Sequence, residues 1–168
     1  VLDREAFEHI LAHPSEMQLP FISRIRPNAS ILMLSFYDYE KAIYPGVSAE
    51  QIELWGQALA SFISDLEDAG REVLLVGSTD LSHYEPVAVN DPWDAEMMDA
   101  ISQLDNSRLR DRIVDGGYTI CGEIVVSVFI STLRNLGYTQ LDWWIRGNSR
   151  HLSGPEGVVG YPGGIVWR

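Results

Sequence analysis

Apolar side chains recur at helical spacing most clearly after Gly46, where Ile52, Trp55, Leu59, Phe62, Ile63 and Leu66 of VSAEQIELWGQALASFISDLEDAG fall on one face. Ser48 stands where a cap is needed, and Gly70 supplies the stop. The next residues, Glu72 to Gly77 (EVLLVG), are apolar without alternation, the pattern of a strand covered on both faces. An earlier run, ILMLSFYDY, follows a turn at Pro27 and Asn28 and also reads as a buried strand. Strand, helix, strand in that order predicts a right-handed crossover between parallel strands.

The remaining elements follow the same logic. SEMQLPFISRI predicts a helix from a Ser15 cap, which Pro20 would kink unless it lies in the first turn. DPWDAEMMDAISQLD predicts a helix with Pro92 in its first turn, and DNSRLRDRIVDGG a second one ending at Gly116 and Gly117. GEIVVSVFISTLRNLG is apolar on nearly every side, as a buried helix is, with Gly137 closing it. LDWWIRG and VVGYPGGIVW predict two further strands joined by the polar loop NSRHLSGPEG. The expected fold is α/β, a three-layer α/β/α arrangement with a mostly parallel or mixed sheet, in one domain over residues 1–168.

Composition narrows the function classes. With 168 residues and 46% apolar content the chain can bury one sizeable core. A net charge of −12 with 12 scattered basic residues argues against nucleic acid or an anionic membrane as partner, since phosphate contacts need a basic stripe. A small-molecule or peptide ligand and a homo-oligomer remain compatible. The single cysteine, Cys121, cannot form an intrachain disulfide, which favours a reducing compartment and a cytoplasmic location. No apolar run reaches bilayer length, and VLDREAFEHI carries charges where a signal peptide has its apolar core.

Chemistry is concentrated in VLLVGSTDLSHYEP. In an open parallel sheet, ligands bind beyond the carboxyl ends of strands, which is where Asp80 and His83 fall. A carboxylate beside an imidazole fixes its tautomer and leaves the other ring nitrogen as metal ligand or general base; alternatively Asp80 caps a turn and His83 decorates the surface. Ser78 and Ser82 lack the flanking glycines of a nucleophile elbow, so they read as turn residues. Cys121 stands at the start of the buried helix, where the backbone amides and dipole would lower a thiol pKa, or else it is a small buried hydrophobe. By spacing alone His83 and Cys121 make no metal motif. His9, His13 and His151 read as solvated, Asp65 and Glu67 as an exposed helix face, and Trp143 and Trp144 as neighbours on opposite faces of a strand.

Taken together, five blocks resemble the Memo family, which is related in fold to the class III extradiol dioxygenases that use non-haem iron. HPSEMQLPF (His13 to Phe21) is similar to the family's E-H-S-x-E-x-Q-L-P-F, with Ala12 for Glu and Pro14 for Ser. VLLVGSTDLSHYEP resembles its strand ending in S-S-D-L-S-H-Y. Asp94 and Leu104-Asp105 match its D-to-LD helix, TICGE its C-G motif, and NSRHLSGPEGVVGY its S-x-x-x-S-G-x-x-x-V-V-G-Y ending.

The resemblance implies a dioxygenase-type pocket at the strand ends, derived from a non-haem metal-dependent oxidoreductase. In it, Cys121 is a metal ligand, His83 is either a neighbouring ligand or the pocket's acid/base with Asp80 orienting it, and the imidazole and thiolate suit iron first, then copper or zinc. The alternative is a non-catalytic ligand- or peptide-binding scaffold in signalling that retains the pocket. The family's H-A-G-Y and G-P-S/N-H motifs, which supply two further histidine ligands, do not occur here. The expectation is therefore a C-terminal portion of such a protein, with weak or no metal binding by this chain alone.

Overall fold

A computed structural model of the chain describes residues 16–36 and 47–166. The described residues divide between two compact units, the first ending before residue 38 and the second following it. In the first, helix α1 (Leu19–Ile25) has Gln18 at its N-cap and Pro20 in its first turn, where the missing amide hydrogen is not needed. The expected Ser15 cap lies outside the described residues, as do His9, His13 and residues 37–39 of the ILMLSFYDY run.

The second unit carries the other elements. Helix α2 (Ala49–Asp68) starts at Ser48, whose side chain accepts the Gln51 amide, and the chain leaves it through Gly70 at φ 77°. It lies along α5 (Glu123–Asn135), and Gly56 makes this possible, because a side chain there would collide with Ser131. Across that contact the Glu53 carboxylate accepts from Ser131 Oγ (2.7 Å) and Asn135 Nδ2 (3.0 Å). The Asn135 and Ser131 hydrogen bonds hold its carboxyl below the ordinary glutamate range. Helices α3 (Val87–Ser102) and α4 (Asn106–Val114) add Met97, Ala100, Ile101 and Leu109 to the core. Asp105 caps α4 by accepting the Arg108 amide.

Strands β1 (His83–Glu85), β2 (Asp142–Asn148) and β3 (Val158–Ile165) form a sheet in the order β1-β3-β2, antiparallel throughout. A short helix, α6 (Arg150–Ser153), lies between β2 and β3. Helices with a small sheet make this an α/β fold. Trp143 turns inward, its indole donating to Met98 O and Ser102 Oγ, while Trp144 is 71% exposed.

Three sequence expectations need correction. Neither ILMLSF nor EVLLVG forms a ladder among the described residues, so the expected parallel crossover between them is not present there. An apolar run reports what a segment buries once it is covered, whereas a ladder needs a second segment in register. Leu74 and Val76 accordingly stand 81% and 48% exposed. Helix α3 begins at Val87, so Pro92 is inside it and not in its first turn. The carbonyl that Pro92 leaves without a donor belongs to Ala88, which is exposed to water. Among the described residues no helix is long and apolar enough to cross a membrane.

Candidate metal centre

The loop that precedes β1 and the turn that precedes α5 meet at one point. Among the described residues, Asp80, His83 and Cys121 form a group whose possible ligand atoms all lie within 4.8 Å of one another. Cys121 Sγ is 3.1 Å from His83 Nε2, and Asp80 Oδ1 is 3.2 Å from the same nitrogen. From sequence, Asp80 is expected on one ring nitrogen with the other free; here the carboxylate and the sulfur share one. A single Nε2 proton cannot align with both, and buried Asp80 Oδ1 is left without a well-aligned donor.

Electrostatics follow from that crowding. Burial disfavours the charge on Asp80, but the His83 imidazole beside it outweighs that and holds the carboxyl below the ordinary aspartate range. Burial pushes the Cys121 thiol up, and the neighbouring Asp80 charge pushes it further. The lowered thiol pKa expected from the helix start is therefore not found: the carboxylate beside the sulfur opposes the thiolate. A bound cation would reverse this order, since it attracts both anions. An oxygen, a nitrogen and a sulfur donor on converging segments, with one buried oxygen lacking a partner, fit a transition-metal ion.

Backbone geometry presents the histidine. His83 opposes Val159 and Glu85 opposes Val158, so Tyr84 between them is a bulge, with φ 61°. In a regular strand the two rings would point to opposite faces. Instead the Tyr84 ring lies 5.6 Å from the His83 ring, and the residue is 80% exposed. Sequence reading has no signal for this.

Behind the loop lies a buried polar knot. Asp94 Oδ1 accepts the Ser82 amide (3.0 Å) and hydroxyl (2.5 Å), and Asn90 Nδ2 donates to Ser82 O (3.1 Å). Strand β3 holds the other side, with Leu81 N donating to Gly160 O and Gly160 N to Ser82 O. Ser82 thus has a structural part in the loop before β1, and Asp94 is the group that fixes it. The knot was readable in part: Asn90 and Asp94 share a helix face with Met97 and Ile101, a polar pair in line with an apolar stripe. Two threonines tie the site's halves together, with Gly122 N donating to Thr79 Oγ1 (3.0 Å) and His83 N to Thr119 Oγ1 (2.8 Å). His151 is exposed on α6, outside the group.

Two predictions arise here. Burial raises the Asp94 carboxyl despite the Ser82 hydrogen bonds and the Arg146 charge. The folded chain then keeps a proton that the unfolded chain has lost. The stability this proton confers is complete below the ordinary aspartate value and disappears as pH rises through the raised one. Asp94→Asn keeps the shape without the charge, so urea denaturation should show it gaining on the wild type as pH rises from about 4 toward neutrality; a constant difference refutes the assignment. Gly122 has φ −105°, which any residue tolerates, yet a Cβ there would lie 2.7 Å from Thr79 Cβ. Gly122→Ala should therefore lower stability by about 1–3 kcal/mol through overpacking alone, as measured by thermal denaturation.

Comparison with known proteins identifies the family. The family model described as Memo-like protein matches residues 1–165. A MEMO1 family protein of Methanosarcina barkeri is 28% identical over 99% of this chain and 59% of its own length. Others from Methanothermobacter thermautotrophicus and Thermotoga neapolitana are each 27% identical, over 96% and 98% of this chain and 54% of their own lengths. The chain thus spans little more than half the length of these relatives.

Proposed function

Because this chain belongs to the Memo-like family, we propose that Asp80, His83 and Cys121 are its contribution to a non-haem metal centre of the oxidoreductase kind. The observation that carries this reading is the convergence of a carboxylate, an imidazole and a thiol on one point, from segments separated by 38 residues. Imidazole and thiolate donors favour iron, with copper or zinc as the other candidates, and disfavour magnesium or calcium. Asp80 supplies a third donor beside the two expected from sequence. The histidine ligands that the family resemblance implies have no counterpart among the described residues, so this chain alone is expected to hold metal weakly.

A bound metal would supply Lewis-acid or redox chemistry at this point. The chain's own residues do the rest. His83 Nε2, between the Cys121 sulfur and the Asp80 carboxylate, would either hold the metal or exchange a proton with a ligand, since one nitrogen cannot do both at once. In the proton-exchange role, Asp80, 3.2 Å from that nitrogen, orients the imidazole.

A second reading, a ligand- or peptide-binding pocket without catalysis, is favoured by Tyr84, an aromatic ring set out into solvent beside the site. In that case ligand binding survives removal of the metal by a chelator. For the metal reading, cobalt(II) titration of the purified chain should produce the near-ultraviolet thiolate-to-cobalt band, reversed by desalting. No band at saturating cobalt removes the metal centre from consideration.

A further inference from the structure

We propose that Thr79 and Thr119 are positioning residues for this centre, forming a reciprocal clamp that sets the distance between the His83 imidazole and the Cys121 sulfur; the inference rests on the metal reading above. The two segments that carry the donors are not joined by a ladder, since among the described residues β1 pairs with β3 alone. Instead each segment offers a threonine hydroxyl to a backbone amide of the other. Thr79, next to Asp80, accepts from Gly122, next to Cys121. Thr119, two residues before Cys121, accepts from the amide of His83 itself. Every donor residue is therefore within two residues of a clamp.

The details favour threonine at both places. Thr79 Oγ1 gives its proton to Asp80 O at 2.9 Å, so its oxygen is left to accept, and the same side chain steadies the residue that carries the carboxylate. Its branched Cβ restricts χ1, which keeps the hydroxyl aimed. Gly122 permits the approach by lacking a side chain, because a Cβ there would overlap Thr79. The contact between sulfur and imidazole is too weak to hold two segments in register by itself, since a thiol is a poor donor and acceptor. The amide clamps are 2.8 and 3.0 Å long and act at the backbone. They hold the donors together before any ion arrives, which lowers the reorganisation needed for binding.

The test uses the chain with Thr79→Val, Thr119→Val, and the rescuing Thr79→Ser and Thr119→Ser. Hydrogen exchange should show Gly122 losing protection in the first variant and His83 in the second, with the amides of α3 unchanged. Cobalt(II) affinity, read from the thiolate band, should fall about 10–100-fold in each valine variant and return in the serine variants, as for other groups that orient metal ligands. Unchanged cobalt affinity despite the lost amide protection, or a loss that serine does not restore, overturns the proposal. If the wild type shows no cobalt band, the metal reading fails, and the clamp is judged on the metal-free chain by the Nε2 resonance of His83. A shift in both valine variants that serine reverses upholds the clamp, and an unmoved resonance overturns it. Should a valine variant not fold, the corresponding Thr→Ala variant takes its place in the same comparisons.

Discussion

Gly160→Ala should lower the stability of the folded chain by more than about 3 kcal/mol, placing it among the most damaging single substitutions available. Gly160 is buried in β3, and its backbone holds both sides of Ser82's neighbourhood, through Leu81 N and Ser82 O. A Cβ at this position would fall inside the carboxylate of Asp94, 2.6 Å from its Cγ. Neither partner can retreat. Asp94 is 2% exposed and bound to Ser82, and moving β3 would break its ladders to β1 and β2. The relief must come as lost hydrogen bonds in a buried place, where each unmet group costs about 1–3 kcal/mol. Pairing the change with Asp94→Ala removes the collision, so the double variant should be less unstable than the two single losses added together. Denaturant titration of the four proteins gives the coupling directly. A melting temperature near the wild-type value for Gly160→Ala would show that β3 and α3 do not meet as described.

Cys121→Ala and His83→Ala should each reduce cobalt(II) affinity at least about 100-fold, more than the loss of a group that merely orients a ligand. Because the starting affinity is expected to be weak, both variants should show no saturable binding. Asp80→Asn should do less, about tenfold, because its amide oxygen can still face the ion without a charge. The substitutions also differ in kind. Removing the sulfur abolishes the near-ultraviolet band, whereas Asp80→Asn keeps it at higher cobalt concentration. The raised thiol adds a pH signature: binding must displace the Cys121 proton, so affinity should climb about tenfold per pH unit while that thiol is protonated. A band that survives Cys121→Ala, or an affinity indifferent to pH, would remove the sulfur from the coordination set.

Much of the helical framework can be read from residue order, because a helix makes its hydrogen bonds within itself. Ser48, Gly70, Asp105 and Gly137 mark helix ends where capping and positive-φ chemistry place them. The start of α3 is where such reading fails. Pro92 is a plausible first-turn residue, but the helix begins earlier, at Val87, where an uncapped Pro86 gives little warning. That shift also hides the alignment of Asn90 and Asp94 with the apolar stripe, and so the knot behind the site. Strands fare worse because their partners lie elsewhere in the chain. LDWWIRG and VVGYPGGIVW pair with each other, whereas EVLLVG has the same apolar character and no ladder among the described residues.

The candidate site divides in the same way. Residue types and local order identify Asp80, His83 and Cys121 as chemically capable, since carboxylate, imidazole and thiol have those properties wherever they stand. The family resemblance joins them on one pocket, but only the folded chain determines that sulfur and carboxylate converge on a single imidazole nitrogen, at 3.1 and 3.2 Å. It alone makes the thiol harder to ionise, because that depends on burial and then on a charge 41 positions away in the chain but adjacent in space. Thr79, Thr119, Gly122 and Gly160 acquire their importance there as well. Each acts through a contact with a residue distant in sequence, and contacts of that kind are fixed by packing and not by local periodicity.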